Sequence, residues 1–257
     1  MARNQKDQYY WKAKSEGYRS RASYKLQQIN SKFNVIKEHD NVIDLGAAPG
    51  GWLQVAKEIS DGTIVGVDLK RIKPIDGVET IKGDITKDFT INKILAILED
   101  EKADVVICDA APNLSGNWSL DHARSIGLSE SAFECAKKVL KPGGTFVFKV
   151  FQGDMFKNFL DDIKKEFVHV KAYNPKASRT QSAEIYIIAK KFLVTPVKVG
   201  NIYQAEIEGI GKGNDGFTHI DGFIVFIQNG KKGDKVQIKI TDVKQNFAFA
   251  KIEEYLK

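Results

Sequence analysis

The chain has 257 residues, 42% of them hydrophobic, enough for one substantial core or for one domain with a small appendix. No apolar run approaches the ~18 residues of a membrane span, and the polar start MARNQKDQYYWKAK lacks the apolar core of a secretory leader, so a soluble cytoplasmic protein with no membrane partner is expected. Cys108 and Cys135 lie in apolar segments without CxxC spacing and the four histidines are scattered, which excludes a disulfide framework and leaves no expected metal site.

Taken in chain order, the net charge of +6 is concentrated at the N-terminus. Residues 1–25 hold seven basic groups (Arg3, Lys6, Lys12, Lys14, Arg19, Arg21, Lys25) against two acids, interleaved with Tyr9, Tyr10, Trp11, Tyr18 and Tyr24. Cations among stacking surfaces suit a polyanion with exposed bases; the plain alternative is a solvated basic terminus. A helix is predicted near 21–32, with Leu26, Ile29 and Phe33 as its apolar face. From Asn41 to Lys190, strand-like runs alternate with helical patterns at 50–60, 88–99, 121–140 and 153–165, and strands at 166–173 and 184–190 close the series. Such alternation predicts a doubly wound, Rossmann-like α/β sandwich. Five of its short apolar runs each end in a charged residue, at Asp44, Asp68, Asp84, Asp109 and Lys149. Runs of this kind read as buried parallel strands, and ligands of open α/β sheets bind outside the strands' carboxyl ends. Burying one such charge costs several kcal/mol unless it is paired, so a row of five marks an active-site crevice. At Thr195-Pro196 the pattern changes to short β-prone runs (YQAEIEGI, FTHI, GFIVFI, KVQIKITDV, FAFAKI) between Gly, Asn and Asp, which predicts a small five-stranded β-barrel. The expected domains are 1–192 and 196–257.

The first strand runs through Asp44-Leu45-Gly46-Ala47-Ala48-Pro49-Gly50-Gly51-Trp52 into a helix. Gly46 and Gly50 permit a tight turn and a close backbone approach, but the spacing is G-x-x-x-G with Ala at 48, not the G-x-G-x-x-G of a pyrophosphate cradle. That departure disfavours a nicotinamide oxidoreductase and favours a nucleoside cofactor without phosphates. Asp68 is placed for ribose hydroxyls and Asp84 for an adenine amino group. S-adenosylmethionine has this shape, and its sulfonium suits an acidic crevice. The glycine pair alone is equally consistent with an ordinary strand-to-helix turn, and Trp52 either packs beneath the cofactor or fills the sheet–helix interface.

These segments, with Gly83-Asp84, CDAAPN at 108–113, LKPGGTFVFKVFQG at 140–153 and NPKASRTQSAEIYIIA at 174–189, resemble the FtsJ/RrmJ family of RNA ribose 2′-O-methyltransferases over residues 15–190. The tail, particularly GIGKGNDGFTHIDGFIVFIQNGKKGDKV, is similar to the TRAM domain, an RNA-binding barrel that archaeal members append. The resemblance implies a catalytic tetrad of Lys25, Asp109, Lys149 and Glu184, and S-adenosylmethionine held by Gly46, Gly50, Trp52, Asp68, Asp84 and Asp109. It implies ribosomal RNA or the large ribosomal subunit as partner and a uridine of 23S ribosomal RNA as substrate; a monomer is expected. A transfer-RNA anticodon-loop methyltransferase and a non-catalytic RNA-binding assembly factor stay open as alternatives. The residues add their own case. In an apolar strand beside Lys25, Lys149 is expected to have a lowered pKa and so to accept the proton of a ribose 2′-hydroxyl. Asp109 would orient Lys149 or the hydroxyl, Lys25 would steady the oxyanion, and Glu184 would hold a lysine. Arg19 and Arg21 border Lys25, and Lys176 and Arg179 precede Glu184, which makes all four candidates for RNA phosphate contacts. Lys212, Lys231, Lys232 and Lys235 could line a weak face on the tail, whose nine lysines against eight acids leave an orienting role equally open. His122 reads as a helix-start residue without a partner.

Overall fold

Buried apolar runs and amphipathic helices alternate in the computed structural model much as the periodicity predicts; it describes residues 8–99, 101–179, 182–211, 213–244 and 246–256. Arg3, Lys6 and Lys212 lie outside the described residues. Seven strands, β1 (Val42–Leu45), β2 (Ile64–Asp68), β3 (Glu79–Lys82), β4 (Ala103–Cys108), β5 (Leu140–Phe151), β6 (Phe167–Tyr173) and β7 (Glu184–Phe192), form one sheet of order β3-β2-β1-β4-β5-β7-β6. Helices α1 (Gln8–Ser15), α2 (Ser23–Phe33), α3 (Gly51–Ile59), α4 (Asp88–Ile97), α5 (Trp118–Val139) and α6 (Phe156–Glu166) accompany it. The chain winds outward from β1 to β3 and then restarts at β4 on the other side of β1, so the topological switch point lies between β1 and β4, where such sheets open a crevice. β1, β2 and β4 are apolar and nearly fully buried because both sheet faces are covered; β3 is an edge strand with only Ile81 buried.

Two expectations about the strands change. The sheet is mixed: β7 runs antiparallel to β5, pairing from Thr145↔Lys190 to Phe151↔Glu184. That pairing carries β5 two residues beyond Lys149, which is therefore inside a strand rather than at its end. Asp44 is likewise inside β1, and Asp84 falls two residues beyond β3. Only Asp68 closes its strand and only Asp109 follows its strand directly.

The N-terminal arm is less open than its composition suggests. Tyr9, Tyr18 and Tyr24 pack together around Ala13 and Ala177, with Tyr24 ring centroids 5.5 Å from Tyr9 and 5.7 Å from Tyr18. These three rings are core, and Tyr10 and Trp11 are the exposed aromatics of the arm.

Residues up to Asp161 with His169–Phe192 form one compact unit, and Asp162–Val168 with Leu193–Lys257 form a second. In the second, β8 (Ile202–Glu206), β9 (Gly209–Ile210), β10 (Gly216–Ile220), β11 (Phe223–Ile227), β12 (Lys235–Val243) and β13 (Phe247–Tyr255) build a sheet of order β8-β12-β13-β11-β10-β9. Six strands form where five were expected, because YQAEIEGI breaks at Ile207, which turns into the core. Gly209 then passes so close to Phe217 that a Cβ would lie 2.6 Å from its ring. Val225, Ile227, Val236, Ile238 and Ile240 supply the alternating inward face.

Candidate active site

At the switch point the β1–α3 turn is drawn against β2: the Gly46 and Ala47 N–H groups both donate to the Val67 carbonyl, at 2.8 and 3.1 Å. Gly46 has φ +76°, and a Cβ there would stand 2.5 Å from that of Ala110, so only glycine lets this turn touch the β4 exit. Gly50, at φ +107°, caps α3. Asp68 braces the turn, with one carboxylate oxygen accepting from Ala48 N–H (2.9 Å) and the other from Lys70 N–H (2.7 Å). Asp84 accepts from the N–H and Oγ of Thr86, which lowers its pKa. Gly46, Ala48, Asp68, Asp84 and Asp109 line a cavity of about 680 Å³, within the usual range for a cofactor. A second space of about 40 Å³, bounded by Ser20, Asp44, Gly46, Ala48, Trp52 and Asp109, shares residues with it. Trp52 is buried, donates its indole N–H to the Ala22 carbonyl (2.8 Å), and bounds the small space but not the large cavity.

Asp44 is the unexpected member. It is 1% exposed, and its Oδ2 has no hydrogen-bond partner. Burial, then the carboxylates of Asp109 and Asp68, push its pKa well above the usual range.

The tetrad residues meet in one cluster. Lys149 Nζ donates to the Asp109 carbonyl (2.7 Å) and lies 3.0 Å from Asp109 Oδ1 and 3.7 Å from Glu184 Oε1. Lys25, delivered by α2, donates to Glu184 Oε2 (3.1 Å) and to the Tyr186 hydroxyl (2.9 Å). Tyr186 in turn donates to Asp109 Oδ1 at 2.5 Å, which closes the ring. The expected depression of the Lys149 pKa is reversed. Burial opposes the ammonium, but Asp109 and Glu184 outweigh it, and the net direction is upward. Glu184 shifts the other way: burial disfavours its charge, yet Lys149 and Lys25 hold it below the ordinary range. Three groups escaped the sequence reading. Tyr186 is two residues from Glu184 on β7 and directly opposite Lys149, hence on the same face; the alternation in EIYIIA was its signal. Ser129 Oγ donates to the Lys149 carbonyl (3.0 Å) and Ser125 Oγ accepts from Phe151 N–H (3.1 Å), pinning β5 to α5.

The four basic candidates divide. The Arg19 guanidinium donates to the carbonyls of Pro49 (3.3 Å), Lys73 (2.6 Å) and Pro74 (2.6 Å), so it clamps the arm to the β1–α3 turn and to the segment after β2. Arg21 donates to the Ala177 carbonyl at 2.5 Å, and burial followed by the nearby Arg179 lowers its pKa. Lys176 and Arg179 are exposed on the loop it holds. His122 has the partner that the sequence did not supply: its Nε2 accepts from Met155 N–H at 3.2 Å. Among the described residues no group of His, Cys, Asp and Glu could hold a metal, and no helix is long and apolar enough to cross a membrane.

A mixed seven-stranded sheet of order β3-β2-β1-β4-β5-β7-β6, parallel from β3 to β5 with β7 antiparallel to β5 and a crevice at its switch point, is the architecture of a methyltransferase, and the fold assigns the chain to that class. Within it, the chain belongs to the FtsJ-like methyltransferase family, which matches residues 18–192, and a TRAM domain matches residues 196–252. It is 63% identical over 256 residues to ribosomal RNA large subunit methyltransferase E of Methanosarcina acetivorans, covering 100% of this chain and 94% of that protein. Its counterpart of the same name in Methanothrix thermoacetophila is 57% identical, with 100% of both chains covered. A crystal structure from Plasmodium falciparum, described as a ribosomal RNA methyltransferase, superposes with TM-score 0.63 at 34% identity over 69% of this chain and 100% of that one.

Proposed function

We propose that this protein methylates the ribose 2′-hydroxyl of a uridine in 23S ribosomal RNA, with S-adenosylmethionine as methyl donor. The observation that carries the reading is Asp109, which lines both cavities and pairs with Lys149, joining the cofactor crevice to the lysine–carboxylate cluster. The residues fit the cofactor: a partnerless, buried Asp44 oxygen beside the crevice calls for a cation or donor, and Gly46 lets the turn approach Ala110 where both line the large cavity. Asp68 and Asp84 would hold the nucleoside and Trp52 would wall the other end. When bound, S-adenosylmethionine supplies a methyl group activated by the positive sulfur.

The chain's own residues then handle the hydroxyl. Lys149 receives its proton. As an ammonium Lys149 has three donors and faces the Asp109 carbonyl, Asp109 Oδ1 and Glu184 Oε1, so it must release one proton before accepting another. Lys25 donates to the developing oxyanion, Glu184 holds both lysines, and Tyr186 fixes Lys25 against Asp109. Lys176, Arg179 and Arg21 set the phosphate backbone beside the cluster, and Arg19 ties the arm that carries Lys25 to the cofactor turn. The tail unit adds RNA contacts through Lys231, Lys232 and Lys235.

Labelled S-adenosylmethionine incubated with large-subunit ribosomal RNA and with transfer RNA should mark a single uridine ribose in the former. Labelling of transfer RNA alone would refute the substrate. Asp68→Ala should weaken the cofactor, read by calorimetry, by roughly 1–3 kcal/mol, through loss of charge-assisted bonds and of the brace on Ala48. Tight NAD binding would overturn the cofactor assignment.

A further inference from the structure

Trp118 is used neither by the cofactor crevice nor by the lysine–carboxylate cluster, and it is built with care. It opens α5 directly after the Asn117 cap and is 52% exposed. Its ring lies nearly parallel to Phe151 (centroids 6.1 Å, 10°) and to His122 (6.1 Å, 14°). The strand that carries Phe151 and the ring of His122 are each held by a hydrogen bond. Phe151 N–H donates to Ser125 Oγ, and His122 Nε2 accepts from Met155 N–H. Gly153 lies so close that a Cβ would stand 2.7 Å from the His122 ring, so the backing depends on a glycine there. The preceding turn is locked as well, with the Asp121 carboxylate accepting from Ser115 N–H and Oγ and from Gly116 N–H at 2.7, 2.8 and 3.0 Å. Leu114 and Met155, in the segments held on either side, are 67% and 46% exposed.

A single exposed apolar side chain needs no explanation. A half-exposed indole whose plane is set by two parallel rings and a locked turn is different, because it presents a flat π surface at a fixed angle. Its position is also specific. Phe151 follows Lys149 by two residues on β5, so both occupy one face of the strand, about 7 Å apart along it. The loop leading to Trp118 begins at Asp109, and its Asn113 lines the large cavity and accepts from Arg124. The indole therefore stacks on a ring that neighbours, along β5, the lysine assigned to the hydroxyl proton. Unpaired RNA is recognised by stacking its bases on aromatic side chains.

We propose that Trp118 is a stacking platform for an unpaired nucleobase of the RNA substrate, next to the reacting ribose. This rests on the RNA methyltransferase reading above. Its test uses the full chain and an in vitro transcript of large-subunit ribosomal RNA, free of ribosomal proteins. Trp118→Ala should weaken binding of the transcript by roughly 5- to 150-fold, with S-adenosylmethionine affinity unchanged as the check on folding. Trp118→Phe should restore most of the loss, and Trp118→Leu, apolar but without a π face, should not. Unchanged RNA affinity in Trp118→Ala would overturn the platform, as a surface for a ribosomal protein would predict, and a leucine variant as good as phenylalanine would overturn stacking. Failure of the unaltered protein to methylate both the transcript and isolated large ribosomal subunits would instead count against the functional reading, so the two failures are told apart.

Discussion

Replacing Lys149 with arginine is expected to lower methyl transfer by about 10²–10⁴-fold, the usual worth of a positioned acid–base group, while cofactor affinity is retained. Guanidinium stays charged at any workable pH and cannot accept a proton, so arginine keeps the ion pairs with Asp109 and Glu184 and loses the function. Lys149→Ala should be equally inactive. The pH profile follows from the direction of the shift. Burial disfavours the ammonium, but the two carboxylates at 3.0 and 3.7 Å win and raise the pKa. The neutral, proton-accepting form is then a minority near neutrality, and the rate should climb with pH without levelling off below the ordinary lysine range of ~10.4. Glu184→Gln removes one of the stabilising carboxylates and should move the climb to lower pH. An active arginine variant with a flat profile would show that Lys149 is a permanent cationic anchor, and would refute its role as base.

The alternation of buried runs and amphipathic helices made the α/β sandwich legible, since strand and helix periods are local properties of the chain. The acidic crevice was legible for the same reason: Asp68 and Asp109 fall at strand ends that any β1–β4 switch point brings together. What local pattern cannot reveal is pairing. The antiparallel register of β7 on β5 sets Tyr186 opposite Lys149 and extends β5 past it, and this depends on contacts some 35 residues apart in sequence. The Lys149 pKa was misread for the same reason. Its apolar neighbours in sequence predict a depressed value, whereas its neighbours in space are Asp109 and Glu184, from other strands. A basic arm likewise gives no hint of the carbonyls at 49, 73 and 74 to which the Arg19 guanidinium donates.

Asp44→Asn should act in opposite directions on stability and on cofactor binding. The folded-state pKa of Asp44 is raised by burial and by the carboxylates of Asp109 and Asp68. A raised carboxyl contributes stability that is present below its unfolded value of ~3.9 and is lost as pH rises towards the folded value. Over that window the native protein should weaken, and the asparagine variant, with no charge to desolvate, should not. Near neutral pH and without cofactor the variant should therefore have kept its stability better than the native protein, by about 1.4 kcal/mol for each pH unit of that window. In a protein of this size that is about 2–4 °C in Tm per kcal/mol. With S-adenosylmethionine the order should reverse, because the carboxylate that is a liability in the free protein becomes a partner for the ligand's positive charge. Loss of that charge-assisted bond should weaken the cofactor by about 1.5–3 kcal/mol. Thermal melts with and without cofactor, read beside calorimetry, separate the two effects. A variant that is less stable without cofactor and binds it normally would mean that Asp44 is structural and that the partnerless oxygen does not face the ligand.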